Sequence, residues 1–134
     1  MKIAVDSSVW IEFLRSQRDP LVEHVQELLE ADALVLLAPV EVELWLGSRR
    51  QERSILSELF SVMEYREPVA DSWTWCRRVA RRTRERGITF SPVDLLIAGT
   101  CAEHARGSLL LWTLDRDFEP LFRSTDLRRY DYIQ

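Results

Sequence analysis

Three short apolar runs constrain this chain more than anything else in it. Lys2–Val5, Leu34–Leu37 and Leu109–Thr113 are four or five residues long, strand-sized, and separated by stretches patterned for helix. Strands that alternate with helices form a parallel sheet with right-handed crossovers and helices on its faces. A weaker run, Val62–Tyr65, adds a third strand in chain order, and Tyr130–Ile133 suggests a fifth. The expected fold is α/β, a three-layer α/β/α sandwich around a mainly parallel sheet of four or five strands.

The helices read from punctuation and spacing. Ser8–Leu14 follows the first strand, and Asp19-Pro20 opens a helix with Leu21, Val25, Leu28 and Leu29 on one face. Pro39 opens another that stops near Gly47, and residues 51–61 form the next. A long helix spans Val69 to Arg86 before Gly87. Ser91-Pro92 begins a further one that runs to Ala105, ahead of Gly107.

With 134 residues and no repeat or linker, residues 1–134 read as one domain. No apolar run approaches the roughly 20 residues that span a membrane. Asp6 interrupts any signal-peptide pattern, so the expected compartment is the cytoplasm. Cys76 and Cys101 lie in no metal or redox spacing and read as small core residues. His24 and His104, on separate helices, read as surface residues, which leaves zinc without ligands. A net charge of −4 argues against nucleic-acid binding by bulk positive charge. Yet Lys2 is the single lysine among 18 basic residues; the rest are Arg, suited to bidentate phosphate contact.

Open parallel sheets bind ligands beyond the carboxyl ends of their strands, and acids collect there. Asp6 ends the first strand, and Asp115, with Asp117 behind it, follows the fourth. Glu43 lies in VEVELWLG after the second strand, and Asp94 in the first turn opened by SPVD. Each has an ordinary explanation: Asp6 as a helix cap, Asp94 in a capping box with Ser91, Asp115 and Asp117 in a turn. Glu41 competes with Glu43, since two positions apart on a helix they point differently. Four convergent carboxylates would repel by about 4 kcal/mol per close pair. Such a group persists by raising its pKa values or by holding a cation, and all-oxygen ligands suit Mg²⁺ or Mn²⁺.

On AVDSSVWIEFL, VEVELWLG, SPVDLLIAGTCAEH and LLLWTLDRDFEPL, in this order, the chain resembles the PIN-domain family, and within it the VapC toxins. The resemblance implies a PIN-like fold and an Mg²⁺- or Mn²⁺-dependent endoribonuclease. It maps Asp6, Glu43, Asp94 and Asp115 onto the metal-binding, catalytic acids, with Asp117 as a further ligand. Ser7 and Thr113 match small hydroxyls beside the site. It also implies a homodimer and a cognate antitoxin packed along the active-site groove in a hetero-oligomer. Hydrolysis by activated water would leave 5′-phosphate and 3′-hydroxyl ends.

For RNA contact the best single residue is Arg116, within DRD. Arg49, Arg50 and Arg53 could border the cleft, and CRRVARRTRERG reads as a solvated basic face. Trp112 reads as core, while Trp10 and Trp45 are core, a stacking platform or a partner groove. A phosphoaspartate-using enzyme is a rival, but Ser8 stands where a phosphatase needs a second Asp, and that reading leaves Glu43 unexplained. A catalytically silent RNA- or protein-binding module and a DNA-directed nuclease are rivals too.

Overall fold

The computed structural model describes residues 1–16, 20–104 and 108–132. Its centre is a sheet of four parallel strands, β1 (Lys2–Val5), β2 (Leu34–Leu37), β3 (Glu64–Arg66) and β4 (Leu109–Trp112), ordered β3-β2-β1-β4. The register pairs Ile3 with Leu34 on one side and Val5 with Trp112 on the other. Ala4, Val5, Leu34–Leu37, Leu111 and Trp112 are all buried, as expected of strands covered on both faces.

Seven helices complete the described chain: α1 (Ser7–Arg15), α2 (Pro20–Glu30), α3 (Ala38–Gly47), α4 (Arg53–Val62), α5 (Ala70–Glu85), α6 (Pro92–His104) and α7 (Glu119–Ser124). Two 3-10 turns, Arg50–Glu52 and Arg116–Phe118, lead into α4 and α7. The sheet is flanked by these helices in the α/β arrangement expected. α6 lies against β4 and β2, α3 bridges α1 and α6, and α5 packs on α6. That last contact is close because residue 99 is Gly: an added Cβ would lie 2.7 Å from Cys76 Sγ and 3.0 Å from the Ser72 carbonyl.

Strand order fixes where a ligand can enter. The chain steps outward from β1 through β2 to β3, then returns to place β4 on the other side of β1. The connections after β1 and β4 therefore leave in different directions and open a crevice at the sheet's carboxyl edge.

Some elements depart from the sequence reading. The third strand is Glu64–Arg66, not Val62–Tyr65, because α4 continues through Val62 and the strand is an edge with one neighbour. The fifth strand reduces to a single bridge, Leu111 to Arg129. There Leu111 N–H donates to the Arg128 carbonyl and Tyr130 N–H to the Leu111 carbonyl, 2.8 Å each. Beyond it, Tyr130 and Tyr132 stack on His24 instead of extending the ladder. Gly47 is the last residue of α3 rather than its cap; Ser48 caps, donating to the Trp45 carbonyl. Gly87, at φ +77, does end α5 as expected, one residue after Arg86, which lies outside the helix. Asp19, Ala105, Gly107, Ile133 and the side chain of His104 lie outside the described residues.

His24 is also not a surface residue. It is half-buried, hydrogen-bonded to the Tyr130 hydroxyl and edge-on to Trp112 at 5.6 Å. Those partners come from the far end of the chain, so nothing in the sequence near His24 announces them. Trp10 and Trp112 are fully buried core, whereas Trp45 is half-buried against Phe60.

Candidate active site

Asp6 occupies the N-cap position of α1 with extended backbone, φ −72° and ψ 158°, yet its side chain makes no capping hydrogen bond. Its carboxylate is directed elsewhere. Ser8 Oγ and Thr113 Oγ1 both donate to Asp6 Oδ2, each at 2.8 Å, and the residue is only 3% exposed. A buried carboxylate held by two hydroxyls is not a helix cap. The helix-cap explanation therefore holds for the backbone of Asp6 but not for its carboxylate.

Thr113 and Ser8 each face two ways. Thr113 Oγ1 accepts the Asp115 N–H at 3.0 Å, and Ser8 Oγ accepts the Leu114 N–H at 3.0 Å. The two hydroxyl oxygens lie 3.3 Å apart, with both protons already committed to Asp6. The carboxyl ends of β1 and β4 are thus stitched together by side chains, beside the Asp6 N–H to Trp112 carbonyl bond of 2.9 Å. Ser8 is a site residue that sequence reasoning misses. Its signal is the second hydroxyl of the D-S-S run, one residue beyond Ser7.

Glu43 and Glu41 separate as their spacing requires. Ser7 Oγ donates to Glu43 Oε1 at 3.2 Å, whereas Glu41 Oε2 accepts the Trp45 indole N–H at 3.0 Å. Glu43 therefore faces α1 and the crevice, and Glu41 is occupied on its own helix. Asp94 N–H donates to Ser91 Oγ at 3.1 Å, the capping contact expected at the start of α6. Asp115 Oδ1 accepts the Asp117 N–H at 2.9 Å and so caps the Arg116–Phe118 turn. One half of the expected Asp94 capping box is therefore present and Asp115 is a turn residue as expected, and neither role removes the acid from the crevice.

The acids feel one another. Burial, and then the charge of Asp6, push the Glu43 pKa above its ordinary value; Asp94 and Asp115 add to this while the Ser7 hydrogen bond opposes it. Burial likewise raises Asp94, opposed by the Ser91 hydroxyl and reinforced by Asp115, Asp6 and Asp117. Carboxylate oxygens of Asp94, Asp115 and Asp117 lie within 4.8 Å of one another. Asp6 and Glu43 stand outside that tightest trio but within its field.

This donor set fits a hard divalent cation. It is made of carboxylate oxygens, with no imidazole or thiolate in the trio, as Mg²⁺ and Mn²⁺ prefer. Arg116 is exposed and lines an open cleft of about 300 Å³ with Ser91, Asp94 and Asp117, walled by Ile88–Phe90 and Pro120. A shallow depression of about 10 Å³ between α1 and α3 is lined by Ile11, Leu14, Leu44 and Gly47 together with Arg15, Glu43, Ser48 and Glu52.

The family profile described as PIN domain matches residues 3–121. No curated protein matches the chain. Among solved structures, the chain is similar to one from Rickettsia felis VapBC2 bound to a DNA fragment from its promoter, with TM-score 0.80 and 19% identity over 99% of this chain and 100% of that one. It is similar to a chain of VapBC-1 from nontypeable Haemophilus influenzae, with TM-score 0.76 and 23% identity over 98% of each. It also resembles VapBC-5 from Mycobacterium tuberculosis, a member of the VapBC family of toxin-antitoxin systems, with TM-score 0.65 and 24% identity over 97% and 100%. At these identities the likeness is one of fold.

Proposed function

The chain belongs to the PIN-domain family, and on that premise we propose that it is a divalent-metal-dependent endoribonuclease, the toxin of a toxin–antitoxin pair. The observation that supports this most is the convergence of acids from four separate segments on one crevice. Asp6 and Asp115 come from the ends of neighbouring strands, Glu43 from α3 and Asp94 from α6. The whole of residues 1–134 forms the nuclease domain in this reading.

Asp6, Glu43, Asp94 and Asp115 would hold the cation, with Asp117 as a further ligand. A bound Mg²⁺ or Mn²⁺ lowers the pKa of water and offsets charge building on the scissile phosphate. The protein's own part is to hold its carboxylates still. Ser8 and Thr113 fix Asp6 Oδ2, Ser7 orients Glu43, and the Thr113 hydroxyl ties Asp115's backbone to the same point. A carboxylate oxygen of the group takes the proton released by the attacking water. Arg116, on the cleft wall beside Asp94, contacts the RNA phosphate. The products carry 5′-phosphate and 3′-hydroxyl ends.

The depression of Ile11, Leu14, Leu44 and Gly47 receives an apolar segment of the cognate antitoxin. Two features support this: Glu43 is among the residues lining the depression, and neighbouring Val42 and Leu46 are exposed, 56% and 84%. The fold likeness to VapBC-5, a member of the VapBC family of toxin-antitoxin systems, supports it too. The proposed state is a homodimer in the cytoplasm; among the described residues no helix is long and apolar enough to cross a membrane.

The test is cleavage of total RNA by the purified chain in Mg²⁺, in Mn²⁺ and in EDTA, with Asp94→Asn alongside and product ends mapped. Discrete metal-dependent cuts with 5′-phosphate ends, absent from the variant, support the proposal. Cutting that survives EDTA or the substitution overturns it.

A further inference from the structure

One helix away from the acids lies a face of opposite sign. Arg77, Arg78, Arg81 and Arg82 of α5 line an open cleft of about 440 Å³ together with Thr74 and Glu85. Elsewhere the chain pairs arginines with acids: Arg15 with Glu52, Arg66 with Glu64, Arg129 with Glu119. Among the described residues none of the four on α5 closes such a pair. Arg77 gives one N–H to Thr74 Oγ1 at 3.2 Å, and Arg82 one to the Ser124 carbonyl at 3.3 Å. A guanidinium carries five donors, so most of this face has no protein partner.

The pattern is not that of an ordinary solvated helix. Such helices interleave acids at i,i+4, but between Asp71 and Glu85 α5 has none. Instead Arg77 stands four positions from Arg81, and Arg78 four from Arg82, so like charges face each other along the helix. That arrangement lowers helix stability unless an anion lies between them.

The helix that carries this face packs on the helix that carries Asp94. Cys76 Sγ donates to the carbonyl of Leu95 at 3.1 Å, so α5 abuts the turn of α6 that carries Asp94, and Arg77 is the next residue along. The connection from α5 to α6 then supplies Ile88–Ser91, which wall the cleft containing Asp94 and Arg116.

We propose that this face of α5 is a second RNA contact, binding backbone phosphates at nucleotides away from the one that is cut. The proposal rests on the nuclease reading above. A row of guanidinium groups at helical repeat offers bidentate phosphate donors. An acidic crevice in a chain of net charge −4 needs such a local attraction to retain a polyanion. RNA is favoured over an acidic protein segment because no residue lining the cleft is apolar, and protein partners anchor through buried apolar groups.

The experiment measures RNA binding by fluorescence anisotropy without metal, using the full chain carrying Asp94→Asn so that nothing is cut. Single-stranded RNAs of about 5 and about 25 nucleotides are compared, since single-strand sites span about 4–16 nucleotides. Arg77→Ala, Arg78→Ala and Arg81→Ala are combined, leaving Arg82 on the Ser124 carbonyl; the matching Lys triple controls for folding. The parent binds the long RNA more tightly than the short. The Ala triple loses at least tenfold on the long RNA, and its slope of log K against log salt is shallower by about 2. The Lys triple keeps most of that slope. An Ala triple with unchanged affinity and slope overturns the proposal, as does one that keeps both but loses self-association or protein binding. If the unsubstituted chain cuts RNA while the triple binds normally, this proposal alone falls. If the unsubstituted chain cuts no RNA and the parent binds RNA of neither length, the nuclease reading falls and takes this one with it.

Discussion

Thr113 Oγ1 stands 2.8 Å from Asp6 Oδ2 and donates its proton to it, while the same oxygen accepts the Asp115 N–H at 3.0 Å. One hydroxyl therefore positions acids from two strands that lie 107 positions apart or more. Thr113→Val keeps the shape, removes the donor and leaves an amide unpaired. It lowers stability by about 1–2 kcal/mol and cleavage by about 10- to 100-fold. Thr113→Ser restores most of both. Thermal melts and single-turnover cleavage of the three proteins measure this.

Metal-free stability has an unusual dependence on pH. Folding raises the pKa of Glu43 from 4.5 and of Asp94 from 3.8, mainly through burial. An acid raised in this way binds its proton more tightly folded than unfolded. Its stabilising effect is complete below the unfolded pKa and is lost as pH rises through the folded one. In EDTA, this pair therefore makes the chain less stable between about pH 4 and neutrality. Asp94→Asn removes one charge, raises the neutral-pH melting temperature, flattens that decline and abolishes cleavage. Melts across pH with and without the substitution test it; a lower melting temperature in Asp94→Asn at neutral pH contradicts it.

Glu41 and Glu43 give a paired comparison on one helix. Glu43→Gln reduces cleavage by about 100-fold or more, on the scale of losing a charge-stabilising group. Glu41→Gln stays within about twofold, because that carboxylate is engaged with the Trp45 indole. Equal losses in the two variants would show that the Ser7 contact does not select the working acid.

Mn²⁺ stabilises the folded chain by mass action, about 2.7 kcal/mol at 100 times the dissociation constant. The shift in melting temperature is lost in Asp115→Asn, which disrupts the Asp94, Asp115 and Asp117 trio. Ca²⁺ competition gives the same readout without any RNA.

Much of the architecture is legible because buried parallel strands are written as apolar runs. Leu34–Leu37 and Lys2–Val5 need no context, and the acids stand out by ending such runs. β3 is misplaced by sequence because it is an edge strand: Glu64, Tyr65 and Arg66 are not fully buried, so no apolar run marks them. The fifth strand fails because Tyr130 and Tyr132 are apolar for a different purpose, stacking on His24. Ser8 and His24 are misread for a shared reason. Ser8 meets Thr113 and Leu114, and His24 meets Tyr130, more than a hundred positions away, and a lone hydroxyl or imidazole shows no periodicity that would reveal such partners.

The strand order has a consequence in time as well as space. The residues of the depression, Ile11 to Glu52, are synthesised in the first half of the chain, whereas the acid crevice waits for β4 to pair beside β1. Pairing strands so distant in sequence is a slow, late event in folding. The residues proposed to dock the antitoxin therefore leave the ribosome well before those that complete the acid crevice. The proposed docking residues are made first, and the acids proposed to cut RNA are brought together last.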